Sequence, residues 1–148
     1  MKKLFFLGLA AATSFLGVTA QEFKVITTVE SIVPMGIGRS RMIDNQQAMD
    51  YKKFTTERKE GKDSDQDKVD RSEAKVDNLQ ETKLLNFYSG VGINFQNIAS
   101  NDALISSKLT DMAKEGWELV FVTSGVESDA GKDDGKGIFI TRFIFMKK

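Results

Sequence analysis

Residues 109–122, LTDMAKEGWELVFV, restrict what this chain can fold into more than any other stretch, because a helix end, its cap and a strand follow one another without a break. Upstream of the cap, Ile105, Leu109, Met112 and Ala113 recur at i, i+4, i+7 and i+8, which gives a helix one apolar face. Ser100, Asn101 and Asp102 offer side-chain oxygens to the unpaired amides of a helix start, Lys114 suits the last turn, and Gly116 can adopt the left-handed conformation that ends a helix. The spacing predicts a helix over residues 101–115. After Gly116 the period becomes two, so Trp117, Leu119 and Phe121 are expected on one side of a buried strand and Glu118, Val120 and Val122 on the other. The helix must then fold back over that strand.

The segments Glu22-Phe23-Lys24-Val25-Ile26 and Gly116-Trp117-Glu118-Leu119-Val120, with the closing stretch from Phe139 to Lys147, resemble a family of small bacterial domains of unknown function. In that family an N-terminal strand of the EFKV kind precedes a helix ending in GWELV and a terminal strand. The shared motif is one of packing, a glycine for the cap with Trp and Leu for the core, so the resemblance implies a fold and carries no activity. A long charged insertion and the segment GIGRSR depart from the family's compact form.

Lys2 and Lys3 precede a mainly apolar run from Leu4 to Leu16, and Val18 and Ala20 stand where signal peptidase would cut before Gln21. Residues 1–20 are therefore expected to be an export signal, leaving residues 21–148 as a single domain located in the periplasm or secreted. No later segment approaches the roughly 20 apolar residues of a membrane helix, so no span is expected in the mature chain. Removing residues 1–20 removes Lys2 and Lys3 and leaves 19 basic against 21 acidic residues, a balance that argues against nucleic-acid binding.

Phe23, Val25, Thr27 and Val29 alternate with Lys24, Ile26, Thr28 and Glu30 in a β-branched run that predicts a strand as far as Val33. Pro34, Gly36 and Gly38 mark a turn or bulge, and a short strand is expected through Met42 and Ile43. Within GIGRSR, residues 36–41, flexible glycines beside Arg39, Ser40 and Arg41 make a candidate ligand site for an anion or an acidic partner. The stretch lacks the third glycine of a dinucleotide fingerprint and the lysine of a phosphate loop, and solvated arginines beside a turn are the competing reading.

From residue 44 to residue 83 there are 11 acidic and 9 basic residues with few apolar ones, which predicts an exposed, mobile insertion. Asp63, Asp65 and Asp67 imitate the start of a calcium loop, but Lys68 stands where the turn needs Gly and Ala74 where it needs Glu. Asp129, Asp133 and Asp134, in a Gly- and Asp-rich connection at residues 125–137, lack a closing acidic ligand. No metal and no cofactor are expected.

Between residues 84 and 98, Leu85, Phe87, Ile93 and Phe95 share one parity, which suggests a common buried face with a bend at Gly90 and Gly92. The last strand, from Ile138 to Met146, is apolar on both sides and reads as a central one. The expected fold class is α+β, a mainly antiparallel sheet of about four strands with one principal helix packed on one face, plus the charged insertion. If the single helix covers only one face, the other needs the insertion or a second subunit, which makes a homodimer a reasonable expectation.

The chain has no histidine and no cysteine, which excludes a Ser-His-Asp triad, a cysteine nucleophile, thiol redox chemistry, a disulfide and a histidine-ligated zinc. Paired carboxylates could still hydrolyse a glycan, but the acidic residues cluster in lysine-rich loops without an aromatic platform. The reading is a noncatalytic binding or structural module of the cell envelope or secreted space, with an unknown protein or small ligand as partner. A carboxylate-dependent glycan hydrolase is the alternative.

Overall fold

The computed structural model describes residues 20–33, 40–127 and 137–148. The expected signal, the turn around Pro34, Arg39 and the aspartates at 129, 133 and 134 lie outside the described residues. The fold is α+β. Strands β1 (Glu22–Ser31), β2 (Arg41–Asn45), β3 (Leu79–Lys83), β6 (Glu118–Glu127) and β7 (Ile138–Lys147) form one antiparallel sheet in the order β3-β2-β1-β7-β6. Two short strands, β4 (Tyr88–Ser89) and β5 (Gly92–Ile93), make a separate hairpin, and among the described residues there is one α-helix, α1 (Phe95–Lys114).

Register assigns every side chain of the main sheet to a face. Ile26 pairs with Phe143 and Asp44, and Thr28 with Thr141 and Met42, so these residues share one side with Phe145. That is the side α1 covers. Met112 reaches the buried cluster of Ile26, Met42, Leu84, Phe143 and Phe145, with Ile105, Leu109 and Trp117 packed against it. Each large side chain buried there contributes about 1.5–3 kcal/mol. Strand β7, with neighbours on both edges, is interior as its two-sided apolar pattern predicts.

The helix ends as its sequence indicates. Gly116 takes φ +87°, and the amides of Gly116 and Trp117 turn back to the carbonyls of Ala113 and Met112 at 3.0 Å each. Its start is earlier than residue 101. Asn94 is the cap, its side chain accepting from the amides of Gln96 at 3.0 Å and Asn97 at 3.2 Å. Asn101, expected near the cap, is instead fully buried one turn and more inside the helix.

Three further expectations are corrected. The GWELV strand is not buried: β6 lies at the sheet edge and all ten of its residues are exposed. The register shifts between Leu119 and Phe121, so Val120 is an extra residue, Leu119 and Val122 lie on the α1 side opposite Phe145 and Phe143, and Phe121 turns to the other side opposite Ile144. In the stretch after residue 83, Leu84 and Asn86 are the buried residues, while Ile93 and Phe95 are half or more exposed, because β4 and β5 form only a two-pair hairpin away from the core. Finally, the segment 44–83 is not all insertion, since Leu79–Lys83 is strand β3 and Asp44 is buried on β2. Residues 46–78 make the excursion, with single-turn helices at Tyr51–Phe54 and Gln66–Lys68.

Candidate functional site

The sheet face opposite α1 carries Phe23, Val25 and Val29 from β1, Ile140, Ile144 and Met146 from β7, and Phe121 from β6. Two rings dominate its surface, with Phe23 62% and Phe121 60% exposed. Arg142 of β7, paired with Thr27 and Thr123, stands on the same face between Ile140 and Ile144, so the apolar patch is the end formed by Phe23, Val25, Phe121, Ile144 and Met146, with the other charges toward its margin. Arg41 and Glu81 form an ion pair across β2 and β3, Lys83 lies beside them, and Glu118 and Glu127 sit at the two ends of β6. An apolar patch with a charged margin is the anatomy of a protein-binding surface.

The two sheet edges differ in kind. Strand β3 is five residues long and carries Glu81 and Lys83, the short charged form that discourages further pairing. Strand β6 is ten residues long with no charge between Glu118 and Glu127. Its α1 side is bare as well beyond the helix end: Val122 is 44% and Val126 60% exposed, while Ile105, Leu109 and Met112 of the helix pack against the core side chains of β1, β2 and β7.

Of the residues singled out for an anion site, Ser40 is buried: its hydroxyl donates to Asn86 Oδ1 at 2.7 Å and accepts from the Ser31 amide at 2.9 Å. The Asn86 amide donates to the Val33 carbonyl at 3.0 Å, so Ser40 and Asn86 tie the ends of β1 and β2 to the segment leading into β4. The Arg41 guanidinium donates to Glu81. Both described members of the expected trio are therefore engaged by the chain itself.

One buried carboxylate, Asp44, and one half-buried one, Glu30, escaped the sequence reading. Asp44, 4% exposed, accepts from Lys108 Nζ of α1 at 2.6 Å. Lys24 Nζ of β1 lies 3.0 Å from its other oxygen, close enough for charge attraction but off the direction of a hydrogen bond. Glu30 of β1 accepts from the Asn101 amide at 2.8 Å, and Asn101 also clasps the Leu85 backbone, accepting from its N–H at 2.7 Å and donating to its carbonyl at 2.8 Å. Burial pushes the Glu30 carboxyl above its ordinary range; the Asn101 hydrogen bond opposes that rise and the Asp102 charge adds to it. Asp44 was legible in part, because Met42 and Asp44 fall at the same parity on a strand and so must face the same core.

A cleft of about 460 Å³ opens where the chain leaves β2, lined by Lys24, Asn45, Gln46, Gln47 and Trp117 among others. Its amides are engaged locally: Asn45 exchanges two hydrogen bonds with the Gln47 backbone, Gln46 donates to the Asp44 carbonyl, and Gln47 accepts from the Asp77 amide. Lys147 Nζ stands 5.6 Å from the Trp117 ring centre, on the other strand that flanks it. Among the described residues no group of three acidic side chains is placed to hold a metal ion, and Asp65 of the calcium-like stretch pairs with Lys68 at 2.9 Å. No protein-family model, curated protein or solved structure matches this chain.

Proposed function

We propose that this chain is a noncatalytic binding module acting in the cell envelope or outside the cell, and that it holds a protein partner against the open face of its sheet. The observation that carries the reading is the apolar patch of Phe23, Val25 and Phe121, exposed to water and bounded by Arg142 and Glu118, with Arg41, Glu81 and Lys83 farther out toward β3. Location outside the cytoplasm rests on the leader-like pattern of residues 1–20. These two carboxylates support a module over a hydrolase, because Asp44 is neutralised by two lysines and Glu30 is held by an asparagine that also braces the backbone.

Crosslinking in the cells that make the protein tests this. A partner held by the open face is captured by the native chain and lost from Val25→Glu, while the variant melts close to its parent because Val25 is already exposed. Retention of the partner by Val25→Glu, or glycan hydrolysis by the purified protein, would overturn the reading.

A further inference from the structure

We propose that β6 pairs antiparallel with β6 of a second copy about a two-fold axis through Ser124, joining the two sheets edge to edge. This contact uses the edge of the sheet and is independent of any partner on the open face.

The register follows from parity. Two antiparallel copies of one strand can pair in a continuous sheet only if residues opposite each other lie on the same face. The extra residue Val120 breaks the alternation, so the regular part of β6 is residues 121–127, in which Val122, Ser124 and Val126 face α1 and Phe121, Thr123, Gly125 and Glu127 face away. The register that uses this whole run is centred on Ser124. It sets Val122 opposite Val126 of the other copy, Thr123 opposite Gly125, and Ser124 opposite itself.

Charge favours a second copy. In that register Glu127 lies opposite Phe121 and Glu118 lies outside the paired run, so no carboxylate faces another, and the β-branched pairs on the α1 side are self-complementary. Closure is also built in. The far edge of each sheet is the charged strand β3, which ends the assembly at two copies where two bare edges would propagate a fibre. Seven paired residues span about 24 Å, a narrow contact beside the roughly 800 Å² per partner of a standard interface, so the dimer forms reversibly with concentration.

The chain has no cysteine, so any disulfide formed by a single introduced cysteine joins two chains. Opposed residues in an antiparallel pair have Cα atoms about 4.5–5.5 Å apart, within disulfide reach, whereas Thr123 and its own counterpart would lie about 8 Å apart. In protein purified from cells expressing the full chain, Ser124→Cys should oxidise to a covalent dimer at least tenfold faster than Thr123→Cys. Sedimentation of the parent should show a dimer that grows with concentration and is abolished by Val122→Lys. A parent monomeric at every concentration would overturn the proposal, as would equal crosslinking at positions 123 and 124. A dimer broken by Val25→Glu but not by Val122→Lys would overturn it too, since that pattern belongs to face-to-face packing.

Discussion

Lys108 of α1 reaches across the core to Asp44 of β2 at 2.6 Å, and the carboxylate between it and Lys24 is almost wholly withdrawn from water. Removing the shared anion leaves two ammonium groups facing each other, each with about a quarter of its side chain exposed. Asp44→Asn should cost about 3 kcal/mol, the low end for a broken buried pair because both lysines can turn to water. Urea unfolding measures it, and the double variant Asp44→Leu with Lys108→Met should recover a substantial part of the loss.

Glu30 makes stability depend on pH. Its folded-state pKa is raised above the ordinary value of 4.5, mainly by burial, so the folded chain binds its proton more tightly than the unfolded chain does. That contribution is fully present below pH 4.5 and is lost as pH rises through the folded-state value. Glu30→Gln keeps an oxygen for the Asn101 amide without the charge, so it should melt higher than the parent at neutral pH and show a flatter profile down to about pH 4. Parallel melting curves for the two proteins would contradict this account.

Thr28 sits at the centre of the sheet, fully buried, with a hydroxyl that has no hydrogen-bond partner. Thr28→Val replaces that hydroxyl by a methyl of similar size, and relief of the unsatisfied group should stabilise the fold by about 1–2 kcal/mol. Calorimetry should record a rise of several degrees in melting temperature.

The excursion between β2 and β3 should be removable. Asn45 pairs with Leu79, and the Gln46 amide donates to the Asn78 carbonyl at 3.1 Å, so its two ends already meet. Replacing residues 47–77 by a two- to four-residue Gly/Asn turn should leave the melting temperature within about 5 °C of the parent, since loop-closure entropy varies slowly with length. A cut from residue 44 to residue 83 takes away Asp44 and all of β3, and should unfold the protein.

The parts of this fold legible in the sequence are those where one periodicity runs uninterrupted. The alternation in β1, the i, i+4, i+7 spacing of Ile105, Leu109 and Met112, and the glycine at 116 each appear where local pattern placed them. Errors arose where tertiary context outweighs pattern. Apolar residues in β6 suggest burial, but strand order assigns that strand to an edge, and one extra residue at Val120 sends Phe121 to the opposite face. Asn101 resembles a cap by type, yet the backbone of Leu85 is what it serves. Ser40 was legible as polar and loop-adjacent, whereas its partner Asn86 is 46 residues away and invisible to any local window.

In the sheet order, the first strand lies beside the last. Glu22 is paired with Lys147 and Ser31 with Ile138, so β1 gains its longest neighbour only when residues 138–147 are present. Until residues 138–147 have been made, β1 can pair only with the five-residue β2. The central pair is a contact of high sequence separation, the kind that slows folding and leaves the apolar sides of β1 uncovered until it forms.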